Sequence, residues 1–454
     1  MSSEKKKKRR HRVLKVMGWC LLGLFLAAVL VRIVSGVIAQ RRYDAAIADL
    51  LARGEPISLA QLAPSGVPDD ANAAPLYLRA FQSLGGCPLD SLPRLDELTR
   101  GAGPLSDQEL QEARALLTGF AAPLELLRRA ATLPDCRFPL DYSRPAYDFR
   151  LPHLTYFPIA SELLRLSSRF ELLSGQADTA LDDCTVALRL ADSLRDEPVL
   201  VSLLTRGRLH RVATREAARI LDRSEPSERA LLALLTALGD TADRSHFVRA
   251  LEGERCFGLA VFSDIFGSRL SARNLHDMGL DSPLLLTRTG VFVFRPLLML
   301  DAVNYIEILN SFSDCSRRPW YLCSVQWQTV SRTSLADIGR YRLAHPVLSL
   351  MLPAISRAGT GFDWYLAVRS AAAQAVALRL YRIRNGHYPD GLSDLVPDFL
   401  AKLPPDPFSG TDFVYRKEGT GFVLYSLGAN LTDEGGTAGD ADHDRGDVVW
   451  QCSR

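Results

Sequence analysis

The chain carries none of the short motifs that mark the common catalytic and metal-binding centres. Its 454 residues hold no CxxC, no HExxH, no GxSxG, no phosphate-binding loop and no GxGxxG opening a helix after a strand. Without CxxC spacing, ribbon-type zinc sites and thioredoxin-like redox centres have no ligands. Without the others, zincin proteases, nucleophile-elbow hydrolases and dinucleotide sites lose their signatures. Net charge is also slight, since 54 Lys and Arg against 52 Asp and Glu leave +2. Bulk charge therefore points to no nucleic-acid partner. His153, His210, His246, His276 and His345 stand singly. Of eight cysteines, Cys20 falls in an apolar N-terminal run and the rest are odd in number. Cys315 and Cys323 are the nearest pair, placed to bridge a loop in an oxidising compartment or to remain buried thiols.

What the chain does have is asymmetry at its ends. Lys5, Lys6, Lys7, Lys8, Arg9, Arg10 and Arg12 face only Glu4, whereas the tail holds Asp433, Glu434, Asp440, Asp442, Asp444 and Asp447. Residues 16–31 carry no charge, and apolar character resumes after Arg32 as far as Ala39. One helix of 24 residues over this stretch spans about 36 Å, enough for a hydrocarbon core of about 30 Å. The positive-inside bias keeps the basic tail in the cytoplasm and places everything after Gln40 outside. Val37-Ile38-Ala39 also suits signal cleavage, though the apolar run is long for a signal peptide. Both readings put the body outside the cytoplasm, and an uncleaved anchor in a bacterial cytoplasmic (inner) membrane is the expected address.

From Tyr43 to about residue 355 apolar residues recur at spacings of three and four, the period of packed helices. Ser106 and Glu109 form a capping box, with a break or kink expected at Pro123. Residues 159–173 and 179–194 read as a helical pair turning at Gly175, with Ala180, Cys184 and Ala187 inward. The pair resembles one tetratricopeptide unit, but no second copy follows in register. Further helices are expected at 199–221, 227–238, 245–262 and 296–311. The aromatic loop 136–158 either lines a groove or packs over the core. Arg211, Arg215, Arg219 and Arg223 recur every fourth residue below Arg206 and Arg208; such a stripe holds phosphates or is solvated and paired with Glu216, Glu225 and Glu228. Asp301, Asn304 and Glu307 offer a face on which carboxylates can divide acid and base roles when their environments separate their pKa values. None of these names a catalytic residue.

The last stretch is the most structured in pattern. An alanine-rich helix over 364–381 ends at Asn385-Gly386, a short helix is expected at 392–400, and Pro404-Pro405-Asp406-Pro407 forces an extended turn. Residues 413–416 and 421–427 read as a hairpin whose Phe413, Tyr415, Phe422 and Tyr425 cover the alanine side. Asn-Gly-His-Tyr-Pro-Asp-Gly-Leu within 382–400, Leu-Pro-Pro-Asp-Pro-Phe-Ser-Gly over 403–410, Tyr425-Ser426-Leu427-Gly428 and Asp447-Val448 resemble the globular end of the type II secretion major pseudopilin. The resemblance covers about 80 residues. It implies a Ca²⁺ ion in the loop after Tyr-Ser-x-Gly, held by the Leu427 carbonyl, Asn430 (an aspartate in that family), Asp440, Asp442, Asp444 and Asp447. Independently, Ca²⁺ takes six to eight oxygens at flexible angles, and this glycine-rich acidic loop supplies oxygen without sulfur. The chain departs from the family in lacking the Gly-Phe cleavage site and the membrane-helix glutamate, and in placing a long helical body before the module.

The expected fold is thus mainly α. A basic cytoplasmic tail (1–12) precedes a transmembrane anchor (13–39), an extracytoplasmic helical domain (40–355) and a small α+β pseudopilin-like cap (356–454). The expected function is a membrane-anchored scaffold for envelope or secretion proteins with a calcium-stabilised end. The alternatives are an extracytoplasmic hydrolase using the helical domain and an accessory subunit of a secretion pseudopilus.

Overall fold

The first helix, α1 (Ser2–Ala52), is uninterrupted. In the computed structural model, which describes residues 2–86, 91–100, 105–239, 243–267, 269–277, 287–340, 345–438 and 446–453, its segment from Leu14 is long and apolar enough to cross a membrane. The helix does not stop at Ala39 but runs on to seat against the body. Leu50 is buried with Leu259 and Ile306, and Tyr43 meets Phe266 edge-on at 5.8 Å. Just beyond the helix, Glu55 accepts from the buried Arg255 guanidinium at 2.7 Å. A buried arginine needs such partners, and Arg255 also donates to Asn310, so the end of α1 is tied to two body helices.

Two large hydrophobic cores, with two smaller clusters beside them, make up that body among the described residues. The first gathers α2 (Ala74–Gly85), α3 (Ser91–Arg100), α4 (Asp107–Gly119), α5 (Ala121–Ala130), α6 (Phe157–Leu173), α7 (Ala177–Asp192), α8 (Leu200–Arg223) and α9 (Glu228–Leu238). The α6–α7 pair turns at Gly175, whose φ of +78° few other residues adopt. Ala180, Cys184 and Ala187 face inward there as their spacing implied. Ser106 and Glu109 close the capping box of α4. The helix break falls at Phe120, and Pro123 sits in the first turn of α5, where its missing N–H costs nothing.

The second core gathers α10 (Ser245–Phe266), α12 (Arg288–Ser316), α13 (Trp320–Arg340) and the start of α14 (Pro346–Asn385), with α11 (Ala272–Asp277) a short excursion between α10 and α12. Here the sequence pattern was harder to read. α12 contains Pro296 and begins eight residues before it; α14 contains Pro353, Gly359 and Gly361, which disguise a helix 40 residues long. The glycines are packing devices. A Cβ on Gly359 would lie 2.3 Å from the Trp327 ring, and Trp327 Nε1 donates to the Ser356 carbonyl at 2.9 Å. Cys315 and Cys323 are buried free thiols, not a disulfide.

Because α14 passes through residue 355 without interruption, its first half belongs to the second core and its alanine-rich half to the first. Gly386, at φ +79°, ends it with its N–H bonded to the Arg382 carbonyl. The expected helix at 392–400 is only a 3-10 turn, Leu392–Leu395, since Pro397 brings no N–H to continue it. β1 (Val414–Glu418), β2 (Gly421–Ser426) and β3 (Val448–Cys452) form an antiparallel sheet in that order. Phe413, Phe422 and Trp450 pack on the alanine side of α14. Tyr425, three residues from Phe422, falls on the opposite face by the two-residue period of a strand, and its hydroxyl donates to Asp433 at 2.9 Å. The end of the sheet is also tied to α8, the Ser453 N–H donating to Asp222 at 2.8 Å, and α14 is tied to the residue after α8 by Arg379, which donates to the Ser224 carbonyl at 3.0 Å.

Candidate functional site

Of the six residues implied for calcium, Asp440, Asp442 and Asp444 lie outside the described residues. Leu427 donates its N–H to Asp406 at 3.3 Å. Asn430 is occupied within its loop, accepting from Thr432 N–H at 3.1 Å and donating to Glu434 at 2.6 Å. Asp447 is 1% exposed; one carboxylate oxygen accepts from Gly436 N–H at 2.8 Å, while the other is buried without a partner among the described residues. Glu434 Oε2 is equally orphaned. Burial, then the neighbouring Glu434 and Asp433, raise the Asp447 carboxyl above the usual range, outweighing the Gly436 hydrogen bond. Two enclosed carboxylates with spare lone pairs are suited to a hard cation. The described residues nevertheless bring no three His, Cys, Asp or Glu side chains together in metal-holding geometry. In the sequence Glu434 counts only as part of the acidic tail and falls outside the set that the resemblance implies for calcium.

The other chemical candidates resolve into structural pairs. Asp301 is fully buried and accepts from Val347 N–H at 3.2 Å and pairs with His345 at 3.1 Å, so it caps the start of α14. Glu307 is exposed instead, because six residues fall short of two helical turns and do not return to the same face. Asp192 receives Arg206 at 2.7 Å and His210 at 2.9 Å. Burial pushes His210 down to about 4 despite Asp192. Glu197 lies between His153 at 2.7 Å and Ser202 at 2.5 Å. A serine nucleophile needs histidine between hydroxyl and carboxylate; here the carboxylate is central, so the group cannot activate Ser202 in that way. The expected partners of the arginine stripe are redistributed as well. Arg219 pairs with Glu216 at 3.0 Å, but Glu225 and Glu228 pair with Arg382 and Arg384 of α14.

Two clefts remain. The larger, about 660 Å³, opens between α8 and α14. Leu203, Leu204, Phe362, Trp364 and Val368 supply an apolar wall, and Arg208, Arg211 and Arg357 are the charged residues lining it. None of these three guanidiniums takes a hydrogen-bond or ion-pair partner among the described residues. At its floor, Tyr365 lies between Arg206 and Arg369, whose guanidiniums are 5.7 and 5.4 Å from its ring centroid. The cleft is therefore both apolar and electropositive, fit for an anion with an apolar body. Sequence spacing flagged Arg208 and Arg211 but not Arg357, which is 146 residues further along the chain.

The smaller cleft, about 400 Å³, lies under loop 64–68 and is lined by Asp135, Arg137, Asp196, Glu197 and Arg249. Its cations are tied to backbone, Arg137 to the Ser65 carbonyl and Arg249 to that of Leu62, each at 2.7 Å. Burial, with Glu197 nearby, pushes the Cys136 thiol well up, so it is not a thiolate nucleophile. The aromatic loop beside it packs over the core: Phe138 is 4% exposed and stacks on His153 at 4.4 Å. Comparison with protein-family models, curated proteins and solved structures finds no match to this chain.

Proposed function

We propose that the chain is a single-pass, membrane-anchored binding scaffold of the bacterial cytoplasmic membrane, its N-terminus in the cytoplasm and its body outside. The ligand of that scaffold is an anionic, partly apolar segment of an envelope or secretion protein, seated in the α8–α14 cleft. The observation that carries this reading is the set of three unpaired guanidiniums, Arg208, Arg211 and Arg357, over an apolar wall. Unpaired arginines clustered on one cleft repel each other in the empty protein, and an incoming anion relieves that repulsion. In this reading Ca²⁺ orders the acidic tail beside the sheet, with Asp447 and Glu434 as its enclosed oxygens and the pseudopilin-like end acting as a module of the scaffold.

Enclosure of the alanine-rich turns of α14 by α8, α9 and the sheet favours the scaffold over a pseudopilus subunit, whose corresponding helix is free to pack in a stalk. The test is photo-crosslinking from Thr360, at the cleft, in the full chain in its native membrane. A discrete adduct that disappears on Arg211→Glu supports the reading; an adduct unchanged by Arg211→Glu and Arg357→Glu together sinks it. A second reading, hydrolysis in the smaller cleft, draws on Asp135, Asp196 and Glu197 lining one cavity. It requires Asp196→Asn to abolish a measurable turnover while leaving the fold intact.

A further inference from the structure

We infer that the first turns of α12 form a second membrane contact, resting in the outer interface of the bilayer that α1 crosses; this rests on the anchor reading of α1. The depth comes from side-chain contacts between the two helices. The Arg32 guanidinium donates to the Phe292 carbonyl and lies 5.2 Å from its ring centroid. One turn on, a Cβ at Gly36 would touch Pro296 at 3.9 Å. Further on still, Leu50 packs with Ile306. The helices therefore run side by side in the same direction, and each level of α12 can be read from α1.

Arg32 is the only charge between Val16 and Ala39. Counting from Leu14, the helix reaches Arg32 after roughly 27 Å, close to the thickness of a hydrocarbon core. Arg32 therefore stands at the headgroup boundary, and Phe292 stands with it. On these turns Phe292 is 69% exposed, Val293 45% and Leu297 41%. Arg288 and Arg295 are exposed on the same turns, and the Arg295 guanidinium lies 5.5 Å from the Phe266 ring centroid. Aromatic and aliphatic side chains interleaved with arginine are the composition of a membrane interface, where rings enter the acyl boundary and guanidiniums reach phosphates. Lipid is the occupant because the patch is continuous with the apolar, exposed face of α1. With two attachment points, the body stands in a fixed orientation instead of swinging on one helix.

The test uses the full chain in lipid nanodiscs, with Cys20, Cys87 and Cys136 changed to serine and a single nitroxide label introduced by Val293→Cys. Oxygen and a water-soluble nickel chelate are the two relaxing agents. The expected result is an oxygen-to-nickel accessibility ratio at 293 several-fold above that of a label at Thr236→Cys, an exposed position on α9. A label at Leu22→Cys separates the two failures. If 22 is lipid-embedded and 293 behaves like 236, the second contact is wrong and the anchor stands. If 22 and 293 both behave like 236, the anchor reading falls and takes this inference with it.

Discussion

Gly258→Ala probes the seam between α10 and α12, on which α1 is seated. Gly258 lies on α10 facing Tyr305 of α12, and a Cβ there would come within 2.2 Å of the Tyr305 ring and 2.6 Å of its hydroxyl. Tyr305 has nowhere to retreat, being fully buried with its hydroxyl donating to the Glu254 carbonyl at 2.7 Å. Relief of the clash requires α10 and α12 to part or the ring to swing out of its hydrogen bond. Overpacking of this kind costs about 1–3 kcal/mol, and an unpartnered buried hydroxyl adds about 1–3 kcal/mol. Replacing glycine by alanine within a helix returns only about 1 kcal/mol. The net expectation is a destabilisation of about 1–5 kcal/mol, read as a lowered unfolding midpoint of the full chain in detergent micelles. Tyr305→Phe keeps the offending ring carbons and should not rescue Gly258→Ala, whereas Tyr305→Leu should recover part of the loss. A Gly258→Ala protein as stable as the parent, or more so, would refute the packing of α10 on α12 and the placement of α1 that relies on it.

Acid should destabilise the body through His210. Burial lowers its folded pKa from the usual 6.5 to about 4, so its contribution is complete above pH 6.5 and lost as pH falls from there to about 4. That is about 3 kcal/mol at the lower end, and a chemical-denaturation series over this window should flatten in His210→Gln. Asp301→Ala removes the cap of α14 and leaves the buried Val347 N–H without an acceptor, with an expected cost of about 2–3 kcal/mol. Asp301→Asn keeps an acceptor and should cost less in the same urea titration. Millimolar Ca²⁺ should raise the melting temperature of the parent chain but not of Asp447→Asn, as differential scanning calorimetry would read directly. An equal rise in both would remove Asp447 from the site.

What was legible in the sequence was local. The capping box at Ser106 and Glu109, the turn at Gly175, the C-cap at Gly386 and the hairpin around Gly419 each depend on a few neighbouring residues. The apolar run before Ala39 depends on nothing beyond its own length and composition. Hidden features had non-local causes. The length of α14 was masked by Pro353, Gly359 and Gly361, residues that weaken an isolated helix and survive here because Trp327 fills the space above Gly359. β3 was missed because its strand character lies in pairing with β2, more than twenty residues earlier.

The candidate site divides along the same line. The sequence by itself determined the long apolar N-terminal run, the helical body, the acidic tail and the spacing of Arg208 and Arg211, all consequences of composition and period. Only the tertiary structure decided which charges are neutralised. It buried Asp301 as a cap, gave Arg206 to Asp192, and turned Glu225 and Glu228 toward α14. It also set Arg357 opposite Arg208 and Arg211 over an apolar wall and left the three guanidiniums without a partner among the described residues. An arginine's ability to bind an anion depends on whether a carboxylate has already claimed it, and that is settled by helices meeting in space, far apart along the chain.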